Sequence, residues 1–236
     1  MKTRSIAAAA VAILAVVAII LAIVGYYGIQ RFKTPAPTKT ATASSAPIDV
    51  QDGDIQAYYN QGITWGKCAQ GTFDSYRGVN SSDPNEYQCA FLKAPLDWDN
   101  PDGDQITLAL AIHRSGAKDA PALFINPGGP GGPVVSALPY YSAQGLGESV
   151  VKAYDIVALD PRGVGDSTPV FCMTDEEKDE YNAGAETDGV DDSPQSAIAE
   201  AEEGSRDLAD GCRDHSGSIF EHIDTVSAAR DFDMVR

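Results

Sequence analysis

Ten residues, Phe124-Ile-Asn-Pro-Gly-Gly-Pro-Gly-Gly-Pro133, restrict what this chain can fold into more than any other stretch. A short apolar run, Ala122 to Ile125, breaks abruptly into four glycines and three prolines. A buried strand ends this way when its backbone must turn sharply and stay exposed. Glycine reaches φ > 0 without a Cβ clash, while proline fixes φ and removes a competing donor. Such a turn can aim bare N–H groups at one point, as an anion or oxyanion site requires. An ordinary Gly/Pro surface loop fits the same description, so the surroundings must decide.

The surroundings read as alternating strands and helices. Ile106 to Arg114 (ITLALAIHR) has the composition of a strand, Ala120 to Ile125 of a second, buried one, and Tyr154 to Leu159 (YDIVAL) of a third. The third runs into Asp160-Pro-Arg-Gly-Val-Gly-Asp-Ser-Thr-Pro169, another glycine-bearing loop. Upstream, Phe91 to Trp98 reads as a strand ended by the turn Asn100-Pro-Asp-Gly103. Val134 to Gly147 has helical character, and Pro133 suits a first helical position. Gln195 to Cys212 reads as an acidic amphipathic helix with Ile198, Leu208 and Cys212 inward, and Thr225 as the N-cap of a final helix. This order is the pattern of an α/β sheet with parallel strands. In such sheets ligands sit beyond the carboxyl ends of strands, where both glycine loops fall.

Charge and cysteine usage narrow the function classes. The formal net charge of −17 over 236 residues opposes a nucleic-acid role, because phosphate binding needs basic patches. Fifteen acids crowd residues 171–214, which reads as a solvated helical face or loop. The four cysteines, Cys68, Cys89, Cys172 and Cys212, are widely spaced and form no C-x-x-C pair. Zinc and dithiol redox chemistry are therefore not expected, nor is any metal. No nucleotide or flavin motif occurs, so no cofactor is expected. An even cysteine count outside the cytosol implies two disulfides, for which the sequence permits three pairings. Sequential pairing, Cys68–Cys89 and Cys172–Cys212, closes loops of moderate length and contributes roughly 3–4 kcal/mol each in the chain-entropy model.

The amino terminus reads as a targeting or anchoring segment. Residues 6–29 are almost wholly apolar, longer than a signal-peptide core and long enough to span a bilayer. An uncleaved membrane anchor over residues 1–31 is favoured, with a cleaved signal as the alternative. Residues 32–60 follow as a flexible Pro/Thr/Ala-rich linker, and residues 61–236 as the globular part. The cysteines put that part outside the cell, either tethered to the membrane or secreted.

At this point the residues bring a family into view. The chain resembles the secreted actinobacterial tripeptidyl-aminopeptidase and proline-iminopeptidase branch of the α/β-hydrolase fold. The likeness rests on Asn126-Pro-Gly-Gly-Pro-Gly-Gly132, on Tyr154-Asp-Ile-Val-Ala-Leu-Asp-Pro-Arg-Gly-Val-Gly-Asp-Ser167 and on Ala94-Pro-Leu-Asp-Trp98. Trp65-Gly-Lys-Cys68 and the four cysteines fit too, and the likeness covers roughly Trp65 to Arg236. It implies a serine exopeptidase acting on peptide substrates. In that family the Gly-Gly-Pro-Gly loop gives a backbone N–H to an oxyanion hole, a role that falls here on Gly128 and Gly129, with Pro130 and Gly131 completing the loop. The Asp160 to Ser167 loop, with Arg162, Gly163 and Gly165, is implied to support the site. Where the family continues its glycines with Ser-Gly, this chain has Pro133-Val134.

One part of the machinery is missing from the sequence. A hydrolase of this class needs a G-x-S-x-G elbow followed by Asp/Glu and His, and none occurs in these 236 residues. The nearest approach, Gly165-Asp-Ser167-Thr-Pro169, lacks the final glycine, so Ser167 is not expected to be the nucleophile. His113 falls inside a strand pattern, while His215 and His222 are in the wrong order for a triad base. The chain is thus expected to be an N-terminal portion of an α/β-hydrolase domain, holding the oxyanion loop without the triad and inactive alone. A catalytically silent hydrolase-like surface binding protein and an esterase on the same fold are the alternatives.

Overall fold

The computed structural model describes residues 53–73, 86–183 and 193–236. The apolar run at residues 6–29 and most of the predicted linker lie outside them. Among the described residues no helix is long and apolar enough to cross a membrane.

Five strands form one sheet: β1 (Gly66–Lys67), β2 (Tyr87–Pro95), β3 (Gln105–His113), β4 (Ala122–Ile125) and β5 (Asp155–Leu159), in the spatial order β1-β2-β3-β5-β4. The helical elements are α1 (Gln56–Tyr59), α2 (Leu138–Tyr140), a π turn (Tyr141–Gly145), α3 (Glu148–Ala153), α4 (Asp175–Ala183), α5 (Pro194–Ser216), a 3₁₀ turn (Gly217–His222) and α6 (Thr225–Val235). The α/β class expected from the sequence is what forms. Only β4 and β5 are parallel, however; β1, β2 and β3 pair antiparallel, and β3 is antiparallel to β5. The turn at Asn100–Gly103 accounts for the β2–β3 pair. Gly103 N–H bonds to the Asn100 carbonyl at 3.1 Å, and so tight a connection can only return the chain antiparallel.

β3 and β5 are buried on both faces, which is why they read as continuous apolar runs. On β3, Ile106, Leu108, Leu110 and Ile112 point to one face and Ala109 and Ala111 to the other. β5 divides the same way, with Val157 and Leu159 on the first face and Ile156 and Ala158 on the second. The first face is covered by Tyr58 of α1, Ile219 of the 3₁₀ turn, and Met234 and Val235 of α6. The second is covered by Val134, Val135 and Leu138. Helix α1 falls in the stretch that composition assigns to the linker, yet its Tyr58 belongs to the core and donates to the Pro101 carbonyl at 2.9 Å.

Several local expectations are corrected. β4 is not a fully buried strand: it pairs with β5 alone, Ala122 is exposed, Leu123 and Phe124 are half-buried, and only Ile125 is buried. Among the described residues its outer edge carries no strand. Val134 to Gly147 is not one helix: turns precede α2, which starts at Leu138 with Pro139 in its first turn and passes into the π segment that ends at Gly145. On α5, Cys212 is buried as expected, but Ile198 is 62% and Leu208 40% exposed. The cap of α6 is Asp224, whose Oδ1 accepts from the N–H groups of Val226 and Ser227 at 2.8 and 3.0 Å, and not Thr225. The cysteines pair sequentially, Cys68 with Cys89 and Cys172 with Cys212, and none is free.

Candidate functional site

Parallel pairing of β4 and β5, with Ile125 beside Ala158, brings both glycine loops to one edge of the sheet. The first loop leaves β4 at Asn126 and stays exposed through Gly131. Asn126 folds it at once, because its side-chain Oδ1 accepts the Gly128 N–H at 3.1 Å. Gly128, Gly129 and Gly131 have φ of 81°, 150° and 83°, values that residues with a side chain rarely adopt. The peptide between Gly129 and Pro130 is cis.

The donor inventory of this loop differs from the expected one. Gly128 N–H, one of the expected oxyanion pair, donates to the Asn126 side chain. Among the described residues the N–H groups of Gly129, Gly131 and Gly132 have no acceptor. A β-carbon on Gly129 would stand 3.1 Å from both the Gly131 and the Gly132 nitrogens. The bare α-carbon of Gly129 therefore leaves those two nitrogens uncovered, and no other residue could.

The second loop is built around a buried carboxyl. Asp160, 1% exposed, accepts the N–H groups of Val134 and Val135 on Oδ1 at 2.6 and 2.8 Å, and that of Asp166 on Oδ2 at 2.8 Å. Burial pushes this carboxyl up from its ordinary range, and the three N–H donors pull against that. A β-carbon on Gly165 would run into Asp160 Oδ2, so glycine is obligatory there.

Arg162 anchors the loop to three other elements. Its Nε and Nη2 hold both oxygens of Asp231 at 2.7 Å each, a bidentate pair. The remaining donors reach the carbonyls of Leu96 at 2.8 Å, His222 at 3.0 Å and Pro95 at 3.1 Å. All five guanidinium hydrogens are thereby used, and none is left for a substrate. Trp98 Nε1 donates to Asp231 Oδ1 at 3.0 Å. Burial raises the Asp231 carboxyl's proton affinity, opposed by Arg162 and Trp98.

Ser167, also 1% exposed, donates to the Asp160 carbonyl at 2.6 Å and accepts the Ala109 N–H at 2.9 Å. Thr168 exchanges bonds with Thr107: its N–H reaches the Thr107 carbonyl and its Oγ1 accepts the Thr107 N–H, both at 2.8 Å. β3 runs beyond β5 here, and the loop satisfies the backbone groups that β5 no longer covers. The chain matches no family model. Over 182 residues, 74% of its length, it is 34% identical to a tripeptidyl aminopeptidase of Streptomyces coelicolor, covering 31% of that protein. It is likewise 34% identical to a Mycobacterium tuberculosis protein named carboxylesterase B, over 73% of the chain and 32% of the relative. A third relative at 34%, the serine protease Hip1 of Mycobacterium tuberculosis, is matched over 65% of the chain and 29% of its own length.

The chain belongs to the α/β-hydrolase serine peptidase family. It spans about a third of the length of the curated relatives it matches.

Among the described residues none of the three histidines is hydrogen-bonded to the glycine loop. His113, in β3, bonds through Nε2 to Glu86 Oε1 at 2.9 Å and lies against Tyr87. His215 lies 3.6 Å from Glu177, and the His222 carbonyl serves Arg162. Neither Asp231 as the partner of Arg162 nor Trp98 as the second donor to Asp231 was expected from the sequence. A signal existed: Asp231 shares the inward stripe of α6 with Ser227, Met234 and Val235, at the i, i+4, i+7 and i+8 spacing of a buried face.

Proposed function

We propose that this chain is the oxyanion-loop portion of an extracellular serine exopeptidase that removes short peptides from substrate N-termini. The supporting observation is the glycine loop itself, at the carboxyl edge of a parallel strand pair, with three N–H groups that meet no acceptor among the described residues. Fixed donors of this kind stabilise the oxygen of a tetrahedral intermediate without reorganising as charge develops. The Streptomyces relative named tripeptidyl aminopeptidase supports the substrate class. Two disulfides fit an oxidising compartment, and a membrane tether through residues 6–29 is part of the proposal. In this reading the donors are Gly129, Gly131 and Gly132, with Gly128 spent on shaping the loop.

The same reading holds that the chain does not hydrolyse peptides unaided, since Ser167 is buried and doubly bonded. Fluorophosphonate labelling tests it: no serine of the chain should react, and a labelled Ser167 would overturn the assignment. The coding sequence after codon 236 provides the complementary test, where a G-x-S-x-G followed by Asp/Glu and His is expected. In a hydrolase so completed, Gly129→Ala covers the Gly131 and Gly132 nitrogens and should lower kcat about 10²–10³-fold, the usual loss with an oxyanion donor. The relative named carboxylesterase B favours a second reading, an esterase on the same scaffold. Turnover of aryl esters without tripeptidyl p-nitroanilides would select it.

A further inference from the structure

The glycine loop needs fixed donors, yet no regular element fixes it. Residues 126–131 are exposed, and the first helical residue after them is Leu138. Just past the loop, Val134 and Val135 both give their N–H to a single oxygen, Asp160 Oδ1. The other oxygen takes the Asp166 N–H, and among the described residues no cationic side chain is bonded to the carboxyl. Burying a carboxyl against amides alone is costly, so stability is a poor account of its presence. Placement is a better one. Asp160 is anchored to β3 through its own N–H, which reaches the Ala109 carbonyl at 3.0 Å, and through Ser167, which binds both its carbonyl and the Ala109 N–H. The carboxyl thus carries the position of a central strand across to the stretch that follows the glycines.

We propose that Asp160 is the positioning residue of the glycine loop, setting through Val134 and Val135 where the Gly129, Gly131 and Gly132 N–H groups stand. The inference rests on the hydrolase reading for what the loop does, but its test reads the loop directly and needs no activity.

The test is residue-resolved amide hydrogen exchange and ¹⁵N chemical shifts on the full chain in detergent micelles. In Asp160→Ala, Val134 and Val135 should exchange at least tenfold faster, and the three glycine amides should shift. Leu110 and Val157, in the paired strands, should keep their protection, which a general loss of stability would not allow. In Asp160→Asn, one oxygen can still accept from Val134 and Val135, while its –NH₂ faces the Asp166 N–H. The glycine shifts should then stay near wild type, with only Asp166 exchanging faster. Should Asp160→Ala fail to fold, Asp160→Leu, similar in shape but without an acceptor, is read in its place with the same expectation for Val134, Val135 and the glycines. Glycine shifts unchanged when Val134 and Val135 are released would overturn the proposal, as would uniform loss of protection in Asp160→Asn.

Discussion

Arg162 and Asp231 show how one pair of residues can hold four segments. The guanidinium binds the end of β2, the 3₁₀ turn and α6, from a position in the loop after β5. Both side chains are essentially without solvent exposure. Removing one member strands the other charge in the interior, which typically costs about 3–5 kcal/mol, whereas replacing both by apolar groups removes the desolvation penalty as well. Arg162→Met and Asp231→Leu should therefore each destabilise strongly in chemical denaturation. The double variant should recover at least about 2 kcal/mol relative to the sum of the singles. Strict additivity would mean that the pair does not act as a unit.

At the scale of elements, α6 depends on a cap that pH can remove. Asp224 Oδ2 accepts the Ser227 hydroxyl at 2.6 Å, and Oδ1 accepts two helix N–H groups. The Ser227 hydroxyl first, and then the Ser227 and Val226 amides, hold the carboxyl below its ordinary range. A carboxyl depressed in the fold contributes its full stability above its unfolded value, about 3.9, and loses it as pH falls through the lower folded value. Asp224→Ala should cost about 1 kcal/mol at neutral pH. Thermal melts from pH 7 down to 2 should show that difference disappearing on the acid side. A constant difference at every pH would assign the effect to something other than the ionised cap.

The sequence names some elements better than others, for physical reasons. β3 and β5 are legible because both their faces are buried, so their composition is apolar throughout. β4 is equally apolar in sequence but half-exposed, because edge position depends on what pairs beside it and leaves no local mark. The inward stripe of α5 fails for a similar reason. That helix rests mainly on the 3₁₀ turn near its C-terminal end, where Cys212 is buried, and Ile198 lies well away from that support. The glycine loops were visible through their composition. Which N–H groups point free was not, because the Asn126 side chain's choice of Gly128 is set by the folded turn.

For the whole molecule, the outer edge of β4, which carries no strand among the described residues, and the net charge act in opposition. A strand edge presents unpaired N–H and C=O groups, a template for another strand, and half-buried Leu123 and Phe124 add apolar surface beside it. A net charge of −17 repels like copies, and salt screens that repulsion beyond about 10 Å at 0.1 M. The chain should accordingly self-associate in detergent micelles as salt rises, in the micromolar range reachable by sedimentation velocity. Ala122→Lys places a charge on the exposed end of that edge without touching the core, and should weaken association several-fold at every salt concentration. Arg114, bonded to Asp155 across from that end, should keep β5 in register in both proteins. If wild type and variant associate alike, the β4 edge is not the contact, and the apolar N-terminal run becomes the place to look.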